Sequence, residues 1–239
     1  RILVRISLTM VHVKIANPMD TPNSSLTPSN KRRYGGVLPE ERQRQRREKL
    51  IEGAVEMFGT KGFHATTVRE VCVAAHLTER YFYESFKSMR ELFQAVYGKL
   101  REELMGRTLQ ALQQAPLTPL GMLEPAIRVF LVFIQEDPRY GRIMLVDALS
   151  IDAEVARLSN ETARDYADLL KMNLQRLVPA ERMPDVDLDL LADGLIGMNV
   201  LLAARWMHDG FATPIDKVVV TNLLPYQGIF SLMDQASGG

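Results

Sequence analysis

Between Thr78 and Phe86 the chain reads Thr-Glu-Arg-Tyr-Phe-Tyr-Glu-Ser-Phe, which sets a hydroxyl, a guanidinium and two phenols within a single short stretch. These groups suit the reading of base edges: an Arg can fork onto guanine, and a Thr or Tyr can meet a thymine methyl or a polar edge. Tyr81, Phe82 and Tyr83 cannot all enter a core if the stretch is helical, because consecutive helical positions point about 100° apart. Phe82, with Phe86 at i+4, forms the core face, which leaves Tyr81 and Tyr83 partly exposed beside basic residues. Thr78, Arg80 and Tyr81 are therefore the candidate base-contacting residues.

The other chemistry-bearing residues are arranged less purposefully. His12, His64, His76 and His208 are scattered, no His pair sits at i, i+4 beside a carboxylate, and there is neither a Gly-rich phosphate loop nor a Gly-x-Ser-x-Gly elbow. The expectation is a protein that is not an enzyme, with no metal and no cofactor. Asp185, Asp187 and Asp189 alternate but lack the Gly and distal Glu of a calcium loop, and capping of a helix at Leu188 explains them better. The single cysteine, Cys72, excludes an internal disulfide and a multi-thiolate site; it reads as a core thiol in a reducing, cytoplasmic compartment.

The formal net charge is zero, yet the charge is unevenly placed. Lys31 to Leu92 holds 13 Lys/Arg against 9 Asp/Glu, and Phe93 to the end holds 13 against 19, so the polyanion-binding half lies at the front. The longest apolar stretch, Leu188 to Met207, is broken by Asp189, Asp193 and Arg205 and reads as a buried helix and not a membrane span.

The elements that must position these residues follow from periodicity and breakers. Arg1 to Ala16 reads as a segment ahead of the native start, with Met19 a candidate first residue, and residues 1–38 as a whole as a disordered arm ending in Lys31, Arg32 and Arg33. A first helix begins near Pro39 and buries Leu50, Ile51, Ala54, Val55 and Phe58 as one stripe. Thr67-Val68-Arg69-Glu70 is a capping box opening a short second helix, and Thr78 is the N-cap of a third, with Leu77 and Phe82 placed to staple its start. Two short capped helices joined by a tight turn predict a helix-turn-helix over 39–87. A long fourth helix from Ser88 and about five further helices follow, over 88–239. The fold class is all-α, with no strand of useful length after Arg33.

The run Leu50-Ile51-x-x-Ala54-Val55-x-x-Phe58-x-x-Lys61-Gly62-Phe63-x-x-Thr66-Thr67-Val68-x-x-Val71, then Ala75-His76-Leu77-Thr78-Glu79-Arg80-Tyr81-Phe82-Tyr83-x-x-Phe86 and Glu91-Leu92-Phe93, resembles the TetR/AcrR family of bacterial repressors. The resemblance implies a DNA-binding helix-turn-helix domain joined to a C-terminal helical bundle for dimerisation and ligand binding. It implies phosphate anchors at Thr67, Tyr83 and Lys87. The basic arm, through Arg42, Arg44, Arg46 and Arg47, is expected to add a salt-dependent grip. Two departures stand out: His76 occupies the turn where the family carries Gly, and Met89 stands where it carries Lys, with Lys87 and Arg90 beside it.

The resemblance further implies a homodimer on a palindromic operator of double-stranded DNA, released by an unknown small-molecule effector, with no membrane partner. Leu191, Gly194, Leu195, Gly197, Leu201 and Ala204, with Val218, Leu223, Leu224 and Phe230, are the candidate dimer interface; burial within a monomeric bundle is the alternative. Pro225 is expected to kink or interrupt the last helix. Phe130, Phe133, Met144, Leu169, Met172 and Met198 are candidate pocket walls, with Asp147, Tyr166, Asn173 and Asn199 as polar groups. A helical adaptor that binds protein alone is the competing function, and it predicts no loss of binding when Arg80 and Tyr81 are changed.

Overall fold

The computed structural model describes residues 38–180 and 185–235, with side chains through 232. Apart from Leu38, the expected arm lies outside the described residues. Those residues form helices and no strand.

The front of the molecule is a three-helix unit: α1 (Pro39–Lys61), α2 (Val68–Ala74) and α3 (Glu79–Ser85). Its core is the predicted stripe, with Leu50, Ile51, Ala54 and Phe58 buried and Val55 half-buried, closed by Val71, Cys72, Phe82 and Phe86. Burial pushes the Cys72 thiol pKa up, as expected of an unreactive core cysteine. α2 crosses α1 at Gly53, where a Cβ would come within 2.9 Å of the Ala75 amide nitrogen and the Val71 carbonyl oxygen. Only glycine permits that approach.

The turn between α2 and α3 is a Schellman motif: Leu77 N–H donates to the Cys72 carbonyl at 2.9 Å and His76 N–H to the Val73 carbonyl at 3.1 Å. Its left-handed residue is His76, with φ of 53°, so this chain adopts the conformation glycine would favour using a residue that pays for it.

The long helix α4 (Met89–Gln114) ties front to back. Phe93 near its start packs between Phe58 and Phe63, with ring centroids 5.4 and 5.5 Å away. Each fully buried aromatic of this kind contributes about 1.5–3 kcal/mol relative to an exposed one. The back continues with α5 (Pro119–Glu136) and α6 (Pro138–Gly141), which runs into a π-helical stretch (Arg142–Asp147) and α7 (Ala148–Ser150). Then come α8 (Ala153–Leu177), α9 (Leu188–His208) and α10 (Ile215–Gln235). Ser88, Thr118, Asp152 and Asp187 each cap a following helix by accepting from its first-turn amides.

α9 is the one described helix long and apolar enough to cross a membrane by length and composition. It is not buried all round, as its sequence suggested. Ala192, Leu195, Asn199, Ala203 and Trp206 face the bundle, whereas Leu190, Gly194, Gly197 and Leu201 are exposed. A second Schellman turn ends it: Phe211 N–H donates to the Trp206 carbonyl at 2.9 Å, and the two rings meet edge to face at 4.8 Å. α10 continues through Pro225 without interruption. Thr221, whose carbonyl loses its amide partner there, is exposed, so solvent can satisfy it.

Candidate nucleic-acid interface and internal cavity

α3 presents its first turn outward. Phe82 and Phe86 are buried, Tyr83 is 64% exposed, and the Arg80 side chain is 84% exposed, its Nε donating to Glu84 Oε1 at 2.9 Å. Tyr81 is half-buried because the Arg46 guanidinium lies over its ring, 4.5 Å from the centroid. Thr78 sits at the N-cap with extended backbone but makes no side-chain cap hydrogen bond, so its exposed hydroxyl is uncommitted. Its sequence position suggested a working cap.

Thr67 differs. Its Oγ1 and N–H both donate to Glu70 Oε2 at 2.9 Å, and Glu70 N–H donates back to the Oγ1 at 3.3 Å, completing the predicted capping box. Lys61 reaches the other carboxylate oxygen of Glu70. Led by the Lys61 hydrogen bond, these partners hold the Glu70 carboxyl down to a pKa of about 2.

Arg42, Arg44, Arg46 and Arg47 belong to α1 and not to a flexible arm. Arg44 pairs with Glu41, and Arg47 donates to the Ser85 carbonyl at 2.8 Å with its guanidinium 4.0 Å from the Phe86 ring centroid. Arg46 and Arg47 therefore brace α3 against α1, a role the expected loose grip did not include. Lys87 is exposed, its backbone N–H donating to Glu91 Oε2 at 2.7 Å. Arg90 is turned away into an ion pair with Asp152, the cap of α8, at 2.7 Å.

A cavity of about 320 Å³ lies between α4, α5, α8, α9 and α10, within the range of small-molecule sites. Of the expected wall residues, Phe130, Met144, Tyr166, Leu169, Asn173 and Asn199 line it. Four do not. Phe133 is fully buried against Tyr140, with ring centroids 5.0 Å apart; Met172 is exposed; Met198 is half-buried outside the lining; and Asp147 faces the front unit. Tyr97, Thr108, Thr162 and Tyr226 line the cavity and were not anticipated. Each is a polar residue among apolar ones on an amphipathic helix, a signal too common to single them out. Burial pushes the phenols of Tyr166 and Tyr226 up to about 12, so both remain protonated.

The π-helical stretch touches both regions. Met144 and Leu145 face the cavity. Arg142 donates to the Thr60 and Lys61 carbonyls, each at 3.1 Å, closing the end of α1, and Asp147 Oδ2 accepts from Phe63 N–H at 3.0 Å.

Residues 50–96 match the tetR family of bacterial regulatory proteins. Those residues make the front unit a TetR-family DNA-binding domain. The chain is 27% identical to the transcriptional activator FasR of Mycolicibacterium smegmatis over 80% of this chain and 83% of that one. It is 24% identical to the transcriptional repressor KstR2 of the same species over 69% of this chain and 80% of that one. The fold of the chain is similar to that of FadR from Bacillus subtilis in complex with stearoyl-CoA, with a TM-score of 0.65 and 15% identity over 80% of this chain and 98% of that one.

Proposed function

We propose that this protein is a dimeric, ligand-responsive TetR-family repressor that binds a palindromic operator and leaves it when a small, largely apolar molecule enters the cavity. The domains divide as residues 39–87 for DNA and 88–239 for dimerisation and ligand, and such a protein acts in the cytoplasm, where the DNA is. Thr78, Arg80 and Tyr81 read bases; Thr67, Tyr83 and Lys87, with Arg42 and Arg44 of α1, meet phosphates. With Arg90 held by Asp152, Lys87 takes over the phosphate contact that the family's usual Lys makes from position 89.

The dimer reading draws on an unpartnered apolar face. Leu190, Gly194, Gly197 and Leu201 recur three and four residues apart on α9, and Val220, Leu224 and Gly228 do so on α10. Leu201 is 70% and Leu224 57% exposed, and a Cβ at Gly194, Gly197 or Gly228 would meet nothing within 4 Å. A second copy of the chain is the partner, because half a palindrome is too short to be selective. Within the expected interface, Leu195, Val218 and Leu223 are buried in the chain's own core and drop out; Leu191, Ala204 and Phe230 are half-buried and flank the face.

One observation carries the switching: the same π-helical turn supplies Met144 and Leu145 to the cavity and Arg142 and Asp147 to the DNA-binding unit. A ligand that moves the first pair moves the second, and the spacing of the two recognition helices changes with it. The stearoyl chain of the ligand bound by FadR is consistent with an effector whose main part is apolar. The related proteins include both an activator and a repressor, and the sign of regulation follows from where the operator lies relative to the promoter. The test is a mobility-shift assay with duplex DNA from upstream of the protein's own gene at low salt, with and without alkanols, fatty acids and acyl-CoAs. A retarded complex lost on adding ligand is expected. Indifference to duplex DNA, or a ligand that binds tightly and leaves DNA affinity unchanged, overturns the reading.

A further inference from the structure

We infer that the cavity is built for an uncharged, mainly apolar molecule carrying one hydroxyl group, and that Asn199 and Tyr226 together hold that hydroxyl. The inference rests on the effector-cavity reading and narrows it to a ligand class.

No charged side chain lines the cavity among the described residues. A carboxylate or phosphate placed there would be stripped of water with no counterion, which is the costliest way to bury a polar group. Recognition must therefore come from neutral hydrogen bonds; in the wall Asn160 is exposed and Ser159 bonds to Tyr97, and most of the other polar groups have already spent theirs. Tyr97 Oη donates to Thr162 Oγ1 at 3.2 Å, and Thr162 passes its own proton to the Leu158 carbonyl at 2.8 Å. Thr108 donates to the Leu104 carbonyl at 2.9 Å, which leaves the Tyr166 hydroxyl, 3.5 Å away, as donor to Thr108. Asn173 Nδ2 donates to the Leu169 carbonyl at 2.8 Å.

The pair where α9 meets α10 is different. Asn199 Nδ2 donates to Tyr226 Oη at 2.7 Å, so the phenolic proton is left to point elsewhere, and Asn199 Oδ1 has no partner in the protein although its residue is only 8% exposed. Turning the amide over preserves the balance, since Tyr226 then donates to the amide oxygen and the amide N–H is the group left over. In either orientation the pair keeps at least one acceptor and one donor unspent, and both residues line the cavity. A hydroxyl is the small neutral group that uses both; an ether or ester oxygen accepts only, and a carboxylate brings charge.

The test is calorimetric titration of the full chain with decanol, decyl methyl ether, decanoate and decanoyl-CoA, on the parent protein and on Tyr226→Phe and Asn199→Leu, with melting curves to confirm folding. Decanol is expected to bind about tenfold tighter than the ether, the effect of one added net hydrogen bond. Asn199→Leu, which removes the acceptor that only the alcohol uses, is expected to shrink that preference below about threefold and leave the ether's affinity little changed, whereas Tyr226→Phe, which removes the donor both use, is expected to weaken the two together. Tighter binding of decanoate or decanoyl-CoA, or a preference for decanol that survives Asn199→Leu, overturns the inference. If none of the four binds, the cavity reading falls and takes this inference with it. Binding in the expected order without any change in operator affinity upholds the ligand class and overturns only the switching role.

Discussion

The Asp147 carboxylate accepts the Phe63 amide proton at 3.0 Å across 84 residues of sequence, and thereby pins the loop after α1 to the π-helical turn. Burial is the largest influence on this carboxyl and raises its pKa above 3.8, with Phe63, Arg142 and His64 pulling the other way. A raised carboxyl pKa means the folded state holds the proton more tightly than the unfolded chain. The stability from this group is therefore complete below pH 3.8 and is lost as pH rises through the raised value. Asp147→Asn keeps an acceptor for Phe63 and removes the buried charge, so the melting temperature should be unchanged or higher near neutrality. Asp147→Ala leaves the amide without its partner and should cost about 1–3 kcal/mol by denaturant unfolding.

Glu70 titrates with the opposite sign. Its pKa is lowered from 4.5 to about 2, so its contribution is present above 4.5 and disappears as pH falls toward 2. Glu70→Gln should flatten the acid limb of the melting curve over that window. An unchanged acid limb would show that the Lys61 and Thr67 contacts to Glu70 do not form in solution.

The two threonines before α2 and α3 should separate stability from DNA affinity. Thr67→Ala breaks a working cap and should cost about 0.5–2 kcal/mol. Thr78→Ala removes a hydroxyl that caps nothing, so its effect should stay within about 0.5 kcal/mol. Operator binding at constant salt should nonetheless fall for Thr78→Ala, and more steeply for Arg80→Ala and Tyr81→Ala. Equal losses of stability at both threonines would contradict the cap geometry.

Leu201→Glu or Leu224→Lys places a charge on the exposed face of α9 or α10. Sedimentation velocity should show a shift from dimer toward a monomer that remains folded by circular dichroism. A dimer that tolerates both changes would place its interface elsewhere.

His76→Gly should raise stability by about 1 kcal/mol or less, read from chemical denaturation, because the left-handed turn costs a residue with a Cβ about 1–2 kcal/mol while glycine loses more backbone entropy on folding. A lower stability for the glycine variant would mean the imidazole makes a compensating contact.

How far the sequence reached depended on whether a residue's role was local. The stripe from Leu50 to Phe58, the capping box at Thr67 and the inward Phe82 depend on spacing within one or two turns, and all were legible. Asp187 as a cap was legible for the same reason. Arg46 and Arg47 were read as part of a loose basic grip because a charge run carries no sign of what lies across from it, and their partners, Tyr81, Ser85 and Phe86, come from another helix. Asp147 looked like a polar group on a pocket wall; only the three-dimensional path of the chain reveals that it meets Phe63. Leu195, Val218 and Leu223 are indistinguishable in type from Leu201 and Leu224, and the face each occupies follows from how α9 and α10 are rotated against α5 and α8.

A π-turn bonds each amide to the carbonyl five residues back, so it carries one residue more than an α-helix of the same rise. Between Arg142 and Asp147 that supernumerary residue sets the rotational phase between the side chains upstream of it and those downstream. Rewinding the same six residues as a regular α-helix, with none removed, would turn everything beyond them by about 100° relative to Arg142. The composition of both ends would survive intact, yet the bridging carboxylate would swing off its amide. The cavity and the helix-turn-helix would each keep their own form, with nothing left to couple them.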